Sequence, residues 1–145
     1  MSAADLARVP LFGELAQGEL ELLASVSELQ ALKAGEVLCL EGSEADGAIV
    51  LVEGALEAAR DGVGDLGRID APATLGLASL AFNANREATL KAAGPARVLL
   101  ITRPGFHRFT QDAPAAAVRV LEGVVRELAG ALRGSVDLLV PPPRP

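Results

Sequence analysis

Leucines set the first rhythm of the chain. Leu15, Leu20, Leu22, Leu23 and Val26 recur mostly at three- and four-residue steps with Glu19 and Glu21 between them, after an opening Val9-Pro10-Leu11-Phe12. That spacing gathers apolar side chains on one face and predicts one or two short amphipathic helices. After Ala34-Gly35 the texture changes. Glu36-Val37-Leu38-Cys39-Leu40 is a short apolar run that stops at Glu41-Gly42. Ala48-Ile49-Val50-Leu51-Val52 repeats the pattern and stops at Glu53-Gly54, and residues 55–59 make a third run. Runs of this kind, punctuated by glycine every ~8–12 residues, predict a β-sandwich or barrel. Residues 74–82 interrupt the rhythm with a glycine and small apolar residues, which predicts a short helix. Strands are expected to resume over 89–92 and 97–102.

Past Pro104 the pattern is helical again. Residues 104–109 predict one or two helical turns. Pro114 suits the first turn of a longer helix to about Arg133, with Gly134 as its stop. Within that helix Val118, Leu121, Val125, Leu128 and Leu132 alternate in steps of three and four, the seam of a short coiled coil. A second stripe, Ala117, Val120, Val124 and Ala131, lies on another side. One stripe can cover a β-core while the other faces a partner, so a homodimer through this helix is expected, against the alternative of a helix packed wholly on its own domain. The expected organisation is an N-terminal extension over 1–8, one domain over 9–134, and a Pro-rich flexible tail over 135–145.

Composition narrows the function. With 145 residues, half of them hydrophobic, the chain can bury a core without metal or disulfide. Four Phe and no Trp or Tyr leave few platforms for stacking bases. The net charge is −6 and no basic patch is gathered, so nucleic acid is not an expected partner. The lone Cys39 forms no internal disulfide, no signal sequence opens the chain and no uncharged run has the length of a membrane span. A cytoplasmic protein without membrane contact is expected.

Catalytic and cofactor motifs do not assemble. Gly62-Val63-Gly64-Asp65-Leu66-Gly67 spells GxGxxG, but a dinucleotide fingerprint must open a helix, and Arg68-Ile69-Asp70-Ala71-Pro72 has no helical pattern. A hairpin is expected there. His107 is the only histidine and is assigned to surface or packing. Cys39 sits in an apolar strand with no basic neighbour to lower its pKa and reads as core. No nucleophile–base pair, metal cluster or Walker lysine is present, so no enzyme, metal or resident cofactor is expected.

Two stretches carry a resemblance. Ala34-Gly35-Glu36-Val37-Leu38 with Glu41-Gly42, Asp46 and Ile49-Val50-Leu51-Val52-Glu53-Gly54 resembles the front half of cyclic-nucleotide-binding domains, found in catabolite-activator-type regulators, protein kinase regulatory subunits and gated channels. Leu75-Gly76-Leu77-Ala78-Ser79-Leu80-Ala81, four residues, then Arg86-Glu87-Ala88-Thr89-Leu90 is similar to the phosphate-binding cassette of that family. The resemblance covers about residues 9–132. It implies a double-stranded β-helix, a jelly-roll-like β-roll, with N-terminal helices, a short cassette helix and a C-terminal helix. It also implies an anion site at Gly76, Leu77, Ala78, Ser79, Arg86, Glu87 and Thr89. Gly76 would let the backbone turn into a helix whose free N–H groups face an anion, and Arg86 would bring a planar fork that matches phosphate oxygens.

The cassette departs from the family at two positions. The family places an acid after the glycine to accept hydrogen bonds from the ribose 2′-hydroxyl, and Leu77 stands there. Losing a charged acceptor (~1.5–3 kcal/mol) and burying an unpaired hydroxyl (~1–3 kcal/mol) together weaken binding by roughly two to four orders of magnitude. Glu87 follows the arginine where the family has a small residue, and it would repel a phosphate or neutralise Arg86. The expected function is therefore a non-enzymatic regulatory or adaptor module acting through contacts with a protein partner. The helical elements around Leu11-Phe12, Phe106 and Phe109, together with the long C-terminal helix, are its candidate docking surfaces, with burial of those aromatics under the roll as the open alternative. The alternative is a genuine cyclic-nucleotide receptor. A complete transcription regulator is not expected, because few residues follow the last helix.

Overall fold

The computed structural model describes residues 3–139, with side chains through 134. Two four-stranded antiparallel sheets face each other. One has the order β1-β10-β4-β7, formed by Glu28–Leu32, Ala96–Thr102, Gly47–Glu53 and Ala73–Leu75. The other has the order β2-β9-β5-β6, formed by Val37–Cys39, Thr89–Ala92, Ala55–Arg60 and Gly64–Asp70. A two-residue ladder, β3 (Glu44–Ala45) with β8 (Ala84–Asn85), closes one end. This is the β-roll that the resemblance implies.

Strand β4 explains how the parts cohere. Six of its seven residues are buried, so both of its faces are covered. Ile49 and Leu51 point between the sheets with Leu56, Leu90 and Val98. Ala48, Val50 and Val52 point the other way, into a second core with Leu99 and Ile101 of β10 and the helices. A continuous apolar run, rather than alternation, is what a strand buried on both faces requires.

The helices fill that second core. α1 (Ala3–Ala7) buries Ala3 and Leu6, so residues 3–7 of the expected extension pack onto the body, and 1–2 lie outside the described residues; Leu6 alone is too short a signal to read beforehand. A 3-10 turn, Pro10–Phe12, and α2 (Gln17–Ser25) add Leu11, Phe12, Leu20 and Leu23. α3 (Arg103–Asp112) adds Phe106 and Phe109, with ring centroids 6.1 Å apart. α4 (Pro114–Leu139) contributes Ala116, Ala117, Val120 and Val124. Phe12, Phe106 and Phe109 are thus core residues, which decides for burial under the roll and removes them as a docking surface.

Three further expectations change. β1 had no recognisable pattern because it is an edge strand with four of five residues exposed. Residues 73–75 form β7, paired with β4, before the short helix begins. α4 does not stop at Gly134 but continues to Leu139, because Gly134 keeps a negative φ and no left-handed cap forms. Residues 135–139 of the expected flexible tail are therefore helical, and 140–145 lie outside the described residues. The GxGxxG string forms the β5–β6 hairpin, as expected, with Gly64 to Gly67 inside β6.

One ion pair ties α2 to the last helix, α4. Arg119 Nη2 on α4 donates to both carboxylate oxygens of Glu19 on α2, at 2.7 and 2.8 Å, while Glu19 also accepts the Ala16 N–H at 2.8 Å. The Ala16 bond, and then Arg119, hold the Glu19 carboxyl below its ordinary pKa of 4.5. A depressed pKa in the folded state stabilises above the unfolded value and is lost as pH falls through the folded one. Glu19→Gln is expected to lower the melting temperature at pH 7, with the gap from wild type closing as the pH is taken through and below the ordinary carboxylate range.

Candidate functional site

The cassette is built around two glycines and an arginine. Gly76 has φ +67° and ends β7; the next residues, Leu77–Leu80, form one 3-10 turn, the expected short helix. A Cβ on Gly76 would lie 2.6 Å from Nη1 of Arg86, so glycine is required both for the left-handed turn and for the close approach of the guanidinium. Arg86 Nη2 donates to the carbonyl of Gly47, the first residue of β4, at 3.0 Å. The Arg86 backbone is pinned on both sides: its N–H donates to Ser43 O at 2.7 Å, and its carbonyl accepts from Gly42 N at 2.8 Å. The Glu41-Gly42 turn and the cassette are thus one unit. The expected pairing of Arg86 with Glu87 does not form. No carboxylate among the described residues makes an ion pair with Arg86. Glu87 is exposed, and the Gly47 carbonyl takes the contact instead.

A cleft of about 360 Å³ opens beside this unit. Gly76, Leu77, Ala78, Ser79, Arg86 and Glu87 line it, so the structure brings together six of the seven expected residues. Thr89 is the exception. Its Oγ1 accepts the Glu41 N–H at 3.0 Å and fastens β9 to the turn that follows β2, outside the cleft wall. Leu77 is buried and its side chain belongs to the helical core, leaving an apolar surface where the resemblance puts the ribose acceptor. Ile49 and Leu90 form the floor, and Leu128 of α4 reaches the rim. Thr74 Oγ1 of β7 donates to Glu127 of α4 at 2.9 Å, a second link between the cleft wall and that helix.

Arg103 is a structural residue of the site that the motif did not disclose. From the first turn of α3 its Nε donates to Ser79 O at 3.1 Å, and its Nη2 to Ala45 O and Phe82 O at 3.2 Å each. It collects the Ser79 and Phe82 carbonyls at the end of the cassette turn, which have no partner within so short a helix, and ties them to Ala45 of β3. One clue was available: a cation in the first turn of a helix opposes the macrodipole, so its presence asks for a compensating contact elsewhere. Cys39 packs half-buried against the core between the sheets, in line with its reading as core, but it does have a basic neighbour. Burial pushes its thiol pKa up, but Arg86 is close enough to pull against that shift.

The seam on α4 lies where the spacing put it. Val118, Leu121, Val125, Leu128 and Leu132 are between 40% and 67% exposed, while Ala117, Val120 and Val124 are buried. Ala131 of the second stripe is exposed, because α4 has by then passed beyond the body it covers. No group of His, Cys, Asp and Glu among the described residues could hold a metal ion, and none of the helices there is long and apolar enough to cross a membrane. His107 is exposed beside Gln111.

The family model of the cyclic nucleotide-binding domain matches residues 29–113. This chain belongs to the cyclic nucleotide-binding domain family. The N-terminal domain of a transcriptional regulator from Streptomyces coelicolor superposes with a TM-score of 0.77 at 23% identity, over 94% of this chain and 96% of that one. A cyclic nucleotide-binding-like protein from Brucella abortus gives 0.65 at 28% identity, over 76% and 97%. The catabolite activator protein of Thermus thermophilus gives 0.74 at 22% identity, over 90% of this chain and 62% of that one. A search of curated proteins gave no significant match. Domains of this family are typically regulatory rather than enzymatic.

The contact between Gly76 and Arg86 generates a test. Gly76→Ala combines the left-handed cost of about 1–2 kcal/mol with displacement of the guanidinium. Arg86→Ala removes the obstructing group. The double variant is therefore expected to be more stable than the sum of the single losses predicts, as read by urea unfolding in a double-mutant cycle. Strict additivity would show that the two groups are not in contact.

Proposed function

We propose that this domain is a non-enzymatic regulatory or adaptor module whose cleft has lost selectivity for cyclic nucleotides and whose output is a protein contact made by α4. The observation that carries this reading is Leu77. It is buried and apolar at the position where the family places the acid that holds the ribose, and the neighbouring polar groups are few. Glu87 at the rim adds a carboxylate beside the incoming phosphate. The exposed seam of α4 supports the second half, since five large apolar side chains in register leave a surface that a second copy of the helix can cover. Leu128 belongs both to the seam and to the cleft rim, and the Thr74–Glu127 bond lies beside it, so the contents of the cleft and the packing of α4 are joined.

A second reading, a working cyclic-nucleotide receptor, is favoured by one observation: the left-handed Gly76 and the carbonyl-anchored Arg86 keep an anion-facing arrangement. The two readings separate by calorimetry. Cyclic AMP and cyclic GMP are expected to bind the full chain weakly or not at all, and Leu77→Glu combined with Glu87→Ala is expected to create affinity, by roughly two to four orders of magnitude. Low-micromolar binding to the wild type supports the receptor instead.

The α4 contact has its own test. Light scattering is expected to give a dimer at micromolar concentration for the wild type and a monomer for Leu128→Glu. A monomeric wild type, or a dimer indifferent to that charge, contradicts the α4 interface.

A further inference from the structure

We infer that the cleft beside Arg86 is a site for a small alkyl carboxylate, a monoanion with a saturated chain; this rests on the reading that the cassette has lost cyclic nucleotide. Three features of the cleft define the ligand. The first is charge. Arg86 and Glu87 are the charged residues of its lining, and Arg86 is half-buried with no carboxylate partner among the described residues. One of its N–H groups is held by Gly47 O, which fixes the plane of the fork, and the guanidinium has further donors for the two oxygens of one carboxylate. With Glu87 exposed at the rim, a second negative charge on the ligand is opposed, so a monoanion fits better than a phosphate dianion.

The second feature is the wall. Apart from Ser79, Asn85, Arg86 and Glu87, the cleft is lined by alanines, leucines, isoleucines and Gly76. A ribose and a purine ring entering it would leave several hydroxyl and ring-nitrogen groups without partners, and each unpaired buried group lowers affinity. A hydrocarbon chain has none to satisfy and gains about fourfold in affinity for each methylene it buries. The third feature is the absence of aromatic side chains from the lining, which removes any stacking surface for a planar ring and favours a flexible saturated chain. A cleft of about 360 Å³ is within the size range of small-molecule sites. The anion would sit at Arg86 and the chain would run over Leu77, Ile49 and Leu90 toward Leu128.

The test is calorimetric titration of the full chain with sodium octanoate, sodium butanoate, 1-octanol and cyclic AMP. Octanoate is expected to bind saturably, at least about tenfold more tightly than butanoate, which shares the charge, and than octanol, which shares the chain. Arg86→Gln is expected to cost octanoate at least about tenfold. If that variant does not fold, the octanoate–octanol comparison on the wild type decides, because it removes the same charge pair from the ligand's side. Equal affinity for octanoate and butanoate, equal affinity for octanoate and octanol, or no saturable octanoate binding overturns the inference. Failure of octanoate with no cyclic AMP binding overturns this inference alone, whereas low-micromolar cyclic AMP binding overturns the reading it rests on.

Discussion

Gly47 opens the strand that both hydrophobic cores share, and its carbonyl oxygen holds the Arg86 guanidinium. Everything else at the site depends on that contact. β4 is buried on both faces and cannot shift without disturbing either the space between the sheets or the helical layer. An arginine anchored to its first residue is consequently held in place by the best-packed element of the molecule. Gly76 completes the arrangement because only a residue without a side chain lets the guanidinium approach the left-handed turn so closely. Arg103 supports the turn from behind by taking up three carbonyl groups, at Ala45, Ser79 and Phe82.

The glycine turn and its arginine are intact, and under the proposed function the selectivity of the cleft has changed. What the family uses to tell a cyclic ribonucleotide from other anions is a carboxylate beside the glycine, and here that position carries Leu77, which lines the cleft and packs against the core behind it. A charged fork set in an apolar cleft remains. Under the proposal such a cleft selects for a single negative charge on an apolar body, and its lining includes Leu128 of the helix whose outer face is uncovered. Regulation in this reading needs no chemistry: a ligand that covers Leu128 from the inside changes what α4 offers on the outside.

Much of this was legible before any coordinates. The runs stopping at Glu41-Gly42 and Glu53-Gly54 are turns between strands, the cassette spacing put Gly76 and Arg86 side by side, and the steps in α4 separated an exposed stripe from a buried one. What could not be read has physical causes. β1 is an exposed edge strand whose stability comes from pairing with β10, so its side chains carry little pattern. The anchoring of Arg86 on Gly47 and of Arg103 on three carbonyls uses backbone acceptors, which every residue possesses and no sequence marks. The same holds for Thr89, whose hydroxyl meets a backbone N–H and not the cleft. The phenylalanines were ambiguous because aromatic residues suit interfaces and cores alike, and here the helices close over Phe12, Phe106 and Phe109.

The central claim is that the cleft has kept its arginine and lost its ribose recognition. A methyl and guanidinium NMR titration with cyclic AMP tests it most directly, because it reports Leu77, Leu128 and Arg86 separately. The account predicts at most small, non-saturating shifts at Arg86 up to millimolar cyclic AMP, with the Leu77 and Leu128 methyls unmoved. Saturating shifts of both leucines together with Arg86 at micromolar cyclic AMP would contradict it.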